Sequence, residues 1–200
     1  MRAVIIVGHG SLRRDSGAAM IRLAARAREA GVAPLVAAGF LNYSRPTLAE
    51  ALARCAAQGA SQVVVAPYLL VPGYFARVAL PRALTALRPS FPALSLAPAE
   101  CLGDHPALAE LVLKRAEQAH EERRARNDER GAADEALQQS PQLPPSPSFI
   151  APRSSLLLMA HGSPDASANA PIEAVAGRVR ATGRFADVRV AFLDLNEPAI

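Results

Sequence analysis

Tryptophan is absent from this 200-residue chain, and aromatic residues make up 4% of it. Base-stacking platforms for single-stranded nucleic acid therefore have few candidates. The only cysteines, Cys55 and Cys101, form no CxxC pair, so one chain cannot build a four-cysteine zinc or iron–sulfur site. Such sparing use fits a reducing, cytoplasmic setting, and Cys55, inside a helical pattern, packs as a small hydrophobe. No apolar run approaches the ~18 residues needed to span a membrane. The short run after Met1 is a first strand in this reading, not a leader. Phosphate-cradling patterns are missing too, since Gly8-His9-Gly10-Ser11 is neither GxGxxG nor GxxxxGKS. No GxSxG elbow surrounds Ser11 or Ser163, and capping suits both better than nucleophilic attack. A net charge of +4 permits an anionic small molecule without demanding nucleic acid.

Against these absences stands a repetition. Gly8-His9-Gly10-Ser11 ends the apolar run Ala3–Val7, and Ala160-His161-Gly162-Ser163 ends a second, Leu156–Met159. The offset of 152 persists: Phe40-Leu41 aligns with Phe192-Leu193 and Pro46 with Pro198. The repeating unit is a strand, an HGS turn, a helix and a strand ending in Phe-Leu. Half the residues are apolar and a fifth charged, an ordinary globular balance for one large or two small domains.

Periodicity predicts strands at Ala3–Val7, Ala33–Ala38, Gln62–Ala66 and Leu94–Ala97. Helices lie between them: about Ser16–Ala30, one opened by Pro46 and stopped at Gly59, and one running to Leu87 that Pro81 either kinks or starts. A long helix begins at Pro106, with Asp104 as its N-cap and Leu108, Leu111 and Val112 as its apolar stripe. It passes into a charged run, Glu121–Arg130, and a Pro/Ser-rich tract, which predict a linker. The second unit adds a strand at Leu156–Met159, a helix at Asn169–Ala181 and a strand at Ala186–Phe192. The expected domains are 1–121, a linker at 122–153, and a partial repeat at 154–200. The stop at Ile200 falls where unit one starts a helix, which favours an incomplete copy of a longer tandem-repeat protein. Alternating strands and helices predict an α/β, doubly wound parallel sheet. Ligands bind such sheets beyond the carboxyl ends of the strands, where His9 lies.

The glycines around His9 let the chain bend and leave room for a ligand. Histidine offers a nitrogen for a divalent metal, or a base that titrates near neutral pH. One such residue could merely cap a turn; two at equivalent positions of a repeat favour function.

The ordered set of VGHGS, a Phe-Leu strand end, a Val-rich strand running into Pro67-Tyr68-Leu69-Leu70-Val71-Pro72-Gly73, and Leu102-Gly103-Asp104-His105-Pro106 resembles the sirohydrochlorin chelatase (CbiX-like) family. The likeness covers about residues 1–120 and 155–200. It implies a chelatase-like, flavodoxin-type fold and insertion of cobalt or iron into sirohydrochlorin, toward cobalamin or siroheme. It implies a divalent metal ion as substrate, no organic cofactor, and a polyanionic tetrapyrrole as partner, with no nucleic acid or membrane. His9 and His161 fall on the family's motif histidine, so the resemblance gives them metal binding or proton acceptance. A His-plus-carboxylate set suits cobalt or iron without choosing between them.

Departures accompany the likeness. The family's second histidine, after the proline–glycine loop, aligns with Phe75. Its acidic positions are Asn42 and Arg45 in unit one but Asp194 and Glu197 in unit two. Three alternatives follow: a site split between units, one completed by a second copy in a homo-oligomer, or a degenerate tetrapyrrole- or metal-binding module without turnover. A nucleotide-binding domain is a weaker reading. Arg13, Arg14, Arg45 and Arg77 sit in loops or helix starts near the strand ends. They either pair with substrate carboxylates, which arginine holds in a bidentate fork, or are simply solvated. Tyr43, Tyr74 and Phe75 offer an apolar wall for a macrocycle, core packing being the alternative for Phe75. Ser11 belongs with the substrate-binding candidates, His105 caps a helix, and His120 is inert.

Overall fold

Small and β-branched residues without a polar break, Ala3-Val4-Ile5-Ile6-Val7, form β1 (Arg2–Gly8). It lies inside a four-stranded sheet of order β2-β1-β3-β4, with β2 at Leu35–Phe40, β3 at Gln62–Pro67 and β4 at Ser95–Pro98. All pairings are parallel, and Ile5 lies opposite Ala37 on one side and Val65 on the other. The structure, a computed structural model, describes residues 1–13, 17–135 and 154–193, and the chain divides into two compact units, Met1–Gly103 and Asp104–Ile200.

In the first unit both faces of β1 are covered, which is why its sequence does not alternate. Ala3, Ile5 and Val7 are buried with Leu48, Ala51, Leu52 and Cys55 of α2 (Leu48–Ala57) and Leu80 and Leu84 of α3 (Leu80–Leu87). On the opposite face Val4 and Ile6 meet Met20, Ala24 and Ala27 of α1 (Ala18–Glu29). Each large side chain buried here contributes roughly 1.5–3 kcal/mol.

Pro46 does not open α2. It precedes the cap, Thr47, whose hydroxyl accepts the Glu50 amide at 3.2 Å while the Glu50 carboxylate accepts the Thr47 amide at 2.8 Å. This reciprocal box satisfies two donors at the helix start, the amides of Thr47 and Glu50. Pro81 sits in the first turn of α3 and starts its regular part. Just before it, Phe75–Ala79 form a π-helical turn, with the Leu80 amide donating to the Phe75 carbonyl. The Ala76 carbonyl thereby loses the donor an α-register would draw from Leu80, and Pro81, next in line, has no N–H to offer.

The second unit comprises α4 (Pro106–Glu135), β5 (Ser155–Ala160), α5 (Ala170–Ala181) and β6 (Asp187–Phe192). β5 and β6 pair in parallel, Leu158 opposite Val190. Ile172, Val175, Ala176 and Val179 of α5 and Val188, Val190 and Phe192 of β6 are buried. Asp104 does not cap α4: its carboxylate takes Arg178 of α5 at 2.8 Å, a charge partner beyond the reach of local sequence. The cap is His105, whose Nδ1 accepts the Ala107 amide at 3.2 Å. Leu111 lies off the apolar stripe, 49% exposed, whereas Ala109 is buried. Glu117 pairs with Arg184. α4 continues through residues expected to begin the linker, and residues 136–153 of that linker lie outside the described ones. Among the described residues no helix is long and apolar enough to cross a membrane.

Candidate functional site

The chain leaves β1 through a turn that two loops build together. The Leu41 amide donates to the Gly8 carbonyl at 3.0 Å and the Asn42 amide to the His9 carbonyl at 2.9 Å, so the exit of β2 is laced to the exit of β1. Gly10 adopts φ +89°, and a Cβ there would lie 1.7 Å from the Asn42 carbonyl oxygen. Only glycine fits both demands. The Ser11 amide donates to Ser44 Oγ at 3.0 Å, and that hydroxyl donates to the Ser11 carbonyl at 3.3 Å. Ser11 Oγ accepts the Arg13 amide at 3.1 Å, so it caps a local turn; α1 starts seven residues later, at Ala18. Tyr43 occupies the left-handed region at φ +56°, an uncommon conformation for a bulky residue.

His9 is half-buried at the centre of this turn. Its Nδ1 lies 2.9 Å from the Gly10 carbonyl oxygen. A carbonyl only accepts, so Nδ1 carries the hydrogen and Nε2 keeps the lone pair. The ring meets Phe75 edge to face, with centroids 4.1 Å apart at 68°, and Tyr43 at 5.9 Å. Tyr74 extends the cluster, 5.5 Å from Phe75. The arrangement presents one basic nitrogen beside an aromatic wall. It can accept a proton or give a metal ion one coordination bond, and it can lie against a flat apolar ligand.

The structure brings Tyr43 and Phe75 to His9, and Tyr74 to Phe75, but distributes the arginines. Arg13 is exposed, and Arg14 lies outside the described residues. Arg45, 83% exposed, pairs with Glu50 at 3.0 Å. The Thr47 amide, with help from Arg45, holds the Glu50 carboxyl below its ordinary value. Arg77, also exposed, stands on the π-turn. With Pro67, Ala76, Pro98, Glu100 and Cys101 it lines a cavity of about 400 Å³ beyond the carboxyl ends of β3 and β4. Sequence reasoning missed this cavity and the Ser11–Ser44 link. Pro81, placed to shift the helix register, and the Glu-Cys pair just after β4 were the available signals. Burial pushes the Cys55 thiol up, which leaves it a packing residue.

The second unit builds the same turn. Gly162 has φ +90°, the Leu193 amide donates to the Ala160 carbonyl at 2.9 Å, and Ser163 Oγ accepts the Asp165 amide at 3.3 Å. Each feature is its unit-one counterpart shifted by 152. His161 follows β5 and is exposed. Asp194 and Glu197 lie outside the described residues. Among the described residues no three His, Cys, Asp or Glu side chains gather as a metal-holding group.

Comparison with known proteins places these observations in a family. A sequence model of CbiX matches residues 3–119 and 155–200. The sirohydrochlorin cobaltochelatase of Methanocaldococcus jannaschii is 33% identical over 84 residues, covering 42% of this chain and 59% of that protein. The chloroplastic sirohydrochlorin ferrochelatase of Arabidopsis thaliana is 30% identical over 109 residues, covering 54% of this chain and 48% of that protein. The chain thus spans about half the length of these curated relatives. Among solved structures, SirB from Bacillus subtilis with Fe3+ aligns with a TM-score of 0.76 at 17% identity, over 99% of this chain and 68% of that one. At that identity the likeness establishes the chelatase fold alone.

Proposed function

Because this chain belongs to the CbiX family, whose match takes in residues 3–119 and 155–200, we propose that it inserts a divalent metal, cobalt or iron, into sirohydrochlorin. The observation that carries this reading is His9, held at the switch point of the sheet with Nδ1 tied to Gly10 and Nε2 left basic. Named relatives acting on sirohydrochlorin support it.

Insertion exchanges two pyrrole N–H protons for one M2+, releasing two H+ and leaving four metal–nitrogen bonds. His9 Nε2 takes a departing proton or gives the ion a ligand, one lone pair serving one task at a time. Tyr43, Tyr74 and Phe75 form the wall for the macrocycle. Arg13, Arg45 and Arg77 pair with its carboxylates, Arg45 after exchanging Glu50 for substrate. Ser11, bonded to Ser44, holds the loop that carries His9. His161, with Asp194 and Glu197, is the corresponding metal set of a second, tandem copy. In this reading residues 1–121 are one chelatase domain, 122–153 a linker and 154–200 a partial repeat, with homo-oligomer formation as one way to complete a site. The two free thiols, Cys55 and Cys101, support a cytoplasmic location.

Anaerobic incubation of the folded chain with sirohydrochlorin and Co2+ or Fe2+ tests the proposal. Conversion of the chlorin spectrum faster than the protein-free rate is expected. Binding of the macrocycle with no rate gain would replace the proposal with a carrier.

A further inference from the structure

The ring beside His9 bears on how the metal arrives. Three observations meet at that point. The His9 Nδ1 is committed to the Gly10 carbonyl at 2.9 Å, so the imidazole has one lone pair to give. The neighbour at 4.1 Å is Phe75, whose ring has no donor atom, and Tyr43 stands next at 5.9 Å. No group of three His, Cys, Asp or Glu gathers among the described residues. Among the described residues, a hydrated divalent ion that meets His9 would therefore exchange a single water for a single imidazole. One bond of that kind does not hold such an ion against its hydration, because affinity at nitrogen and oxygen sites grows with the number of donors that converge.

We propose that Phe75 makes the His9 site bind in a set order, macrocycle first and metal second. The inference rests on the chelatase reading for the identity of the macrocycle. The seated macrocycle brings four nitrogens to the place where the described residues bring the one imidazole nitrogen of His9. The aromatic wall of Tyr43, Tyr74 and Phe75 favours the flat ligand in the absence of metal, through ring-on-ring contact that needs no charge. Phe75 is in this sense a specificity residue. It trades the capacity to store an ion for the capacity to receive an apolar plane.

The geometry supplies the test. An imidazole in place of a ring already 4.1 Å from His9 puts a second nitrogen within reach of one ion. The 200-residue chain is used with His161→Ala throughout, which removes the other motif histidine as a source of signal. Calorimetric titration with Co2+ alone, without macrocycle, compares Phe75, Phe75→His and Phe75→Leu, each with and without His9→Ala. The Phe75 and Phe75→Leu forms are expected to show no Co2+ uptake that depends on His9. Phe75→His is expected to gain His9-dependent uptake, at least about tenfold tighter. Phe75→Leu separates the gain of a donor from mere loosening, and a near-native circular dichroism spectrum certifies each fold.

Order of mixing is the second readout. With Phe75, product is expected sooner when sirohydrochlorin precedes Co2+ than when Co2+ precedes it, and Phe75→His is expected to erase that difference. His9-dependent Co2+ binding by the Phe75 form as tight as that of Phe75→His would overturn the proposal. If sirohydrochlorin fails to bind at all, the chelatase reading falls, whereas the Co2+ titration still decides what Phe75 does to the metal.

Discussion

Gly10 and the carbonyl oxygen of Asn42 lie so close that a Cβ on Gly10 would sit 1.7 Å from that oxygen. This contact joins the exits of β1 and β2 and sets the path on which His9 rides. Gly10→Ala should both strain the backbone at φ +89° and push the Asn42 loop away. We expect a loss of about 1–3 kcal/mol or more in urea denaturation, together with loss of the proposed chelatase turnover. A variant as stable and as active as the parent would show that the two loops move independently.

His9→Ala should separate function from stability. The side chain is half-buried and lies outside the packed core of β1, so little cavity is created. The expected change in stability is small, within about 1 kcal/mol, while the proposed metal insertion into sirohydrochlorin falls to the protein-free rate. A collapsed midpoint with turnover intact in the surviving fraction would make His9 a structural residue.

The cap of α2 gives a pH signature. Thr47→Ala should cost about 1 kcal/mol in chemical denaturation. The folded chain holds Glu50 below its ordinary carboxyl value, chiefly through the Thr47 amide. A lowered folded value means the stabilisation is complete above the unfolded value and disappears as pH falls through the folded one. The advantage of the parent over Glu50→Gln should therefore be full at neutral pH and vanish in acid. An advantage that grows on acidification would reverse the assignment.

The two units offer an internal comparison of burial. Ile5 is fully buried between β2, β3 and α2, whereas Leu157, its counterpart at the offset of 152, is 51% exposed. Ile5→Ala should cost about 2–5 kcal/mol, and Leu157→Ala about 1 kcal/mol or less. Hydrogen exchange of the β1 and β5 amides measures each unit separately. Equal costs would mean that Leu157 is covered in solution.

Those elements whose signals are local were legible in the sequence. Apolar runs and glycine stops placed the strands, and the HGS turn marked the position of His9 because a strand end in a parallel sheet is where ligands gather. What escaped depended on partners far along the chain. Asp104 looked like a cap until Arg178 took its carboxylate, and the pairing of Arg45 with Glu50 was not foreseen. Phe75 reaches His9 only because β1 and β3 are neighbours, and no periodicity records that adjacency. The shift of register before Pro81 had only that proline as a signal, and a proline in a first turn is equally compatible with an ordinary helix.

The half-covered strand has a consequence for handling the protein. Among the described residues β5 is laddered on one side only, by β6, and Leu157 and Met159 are more than half exposed on it. An open edge beside apolar side chains is a template for strands of other molecules. Turbidity on concentration or gentle heating should begin at this strand, and Leu157→Lys, a gatekeeper charge, should delay it. That substitution lies in the second unit and leaves the His9 turn untouched, so it yields a better-behaved sample in which to study the chemistry of the first.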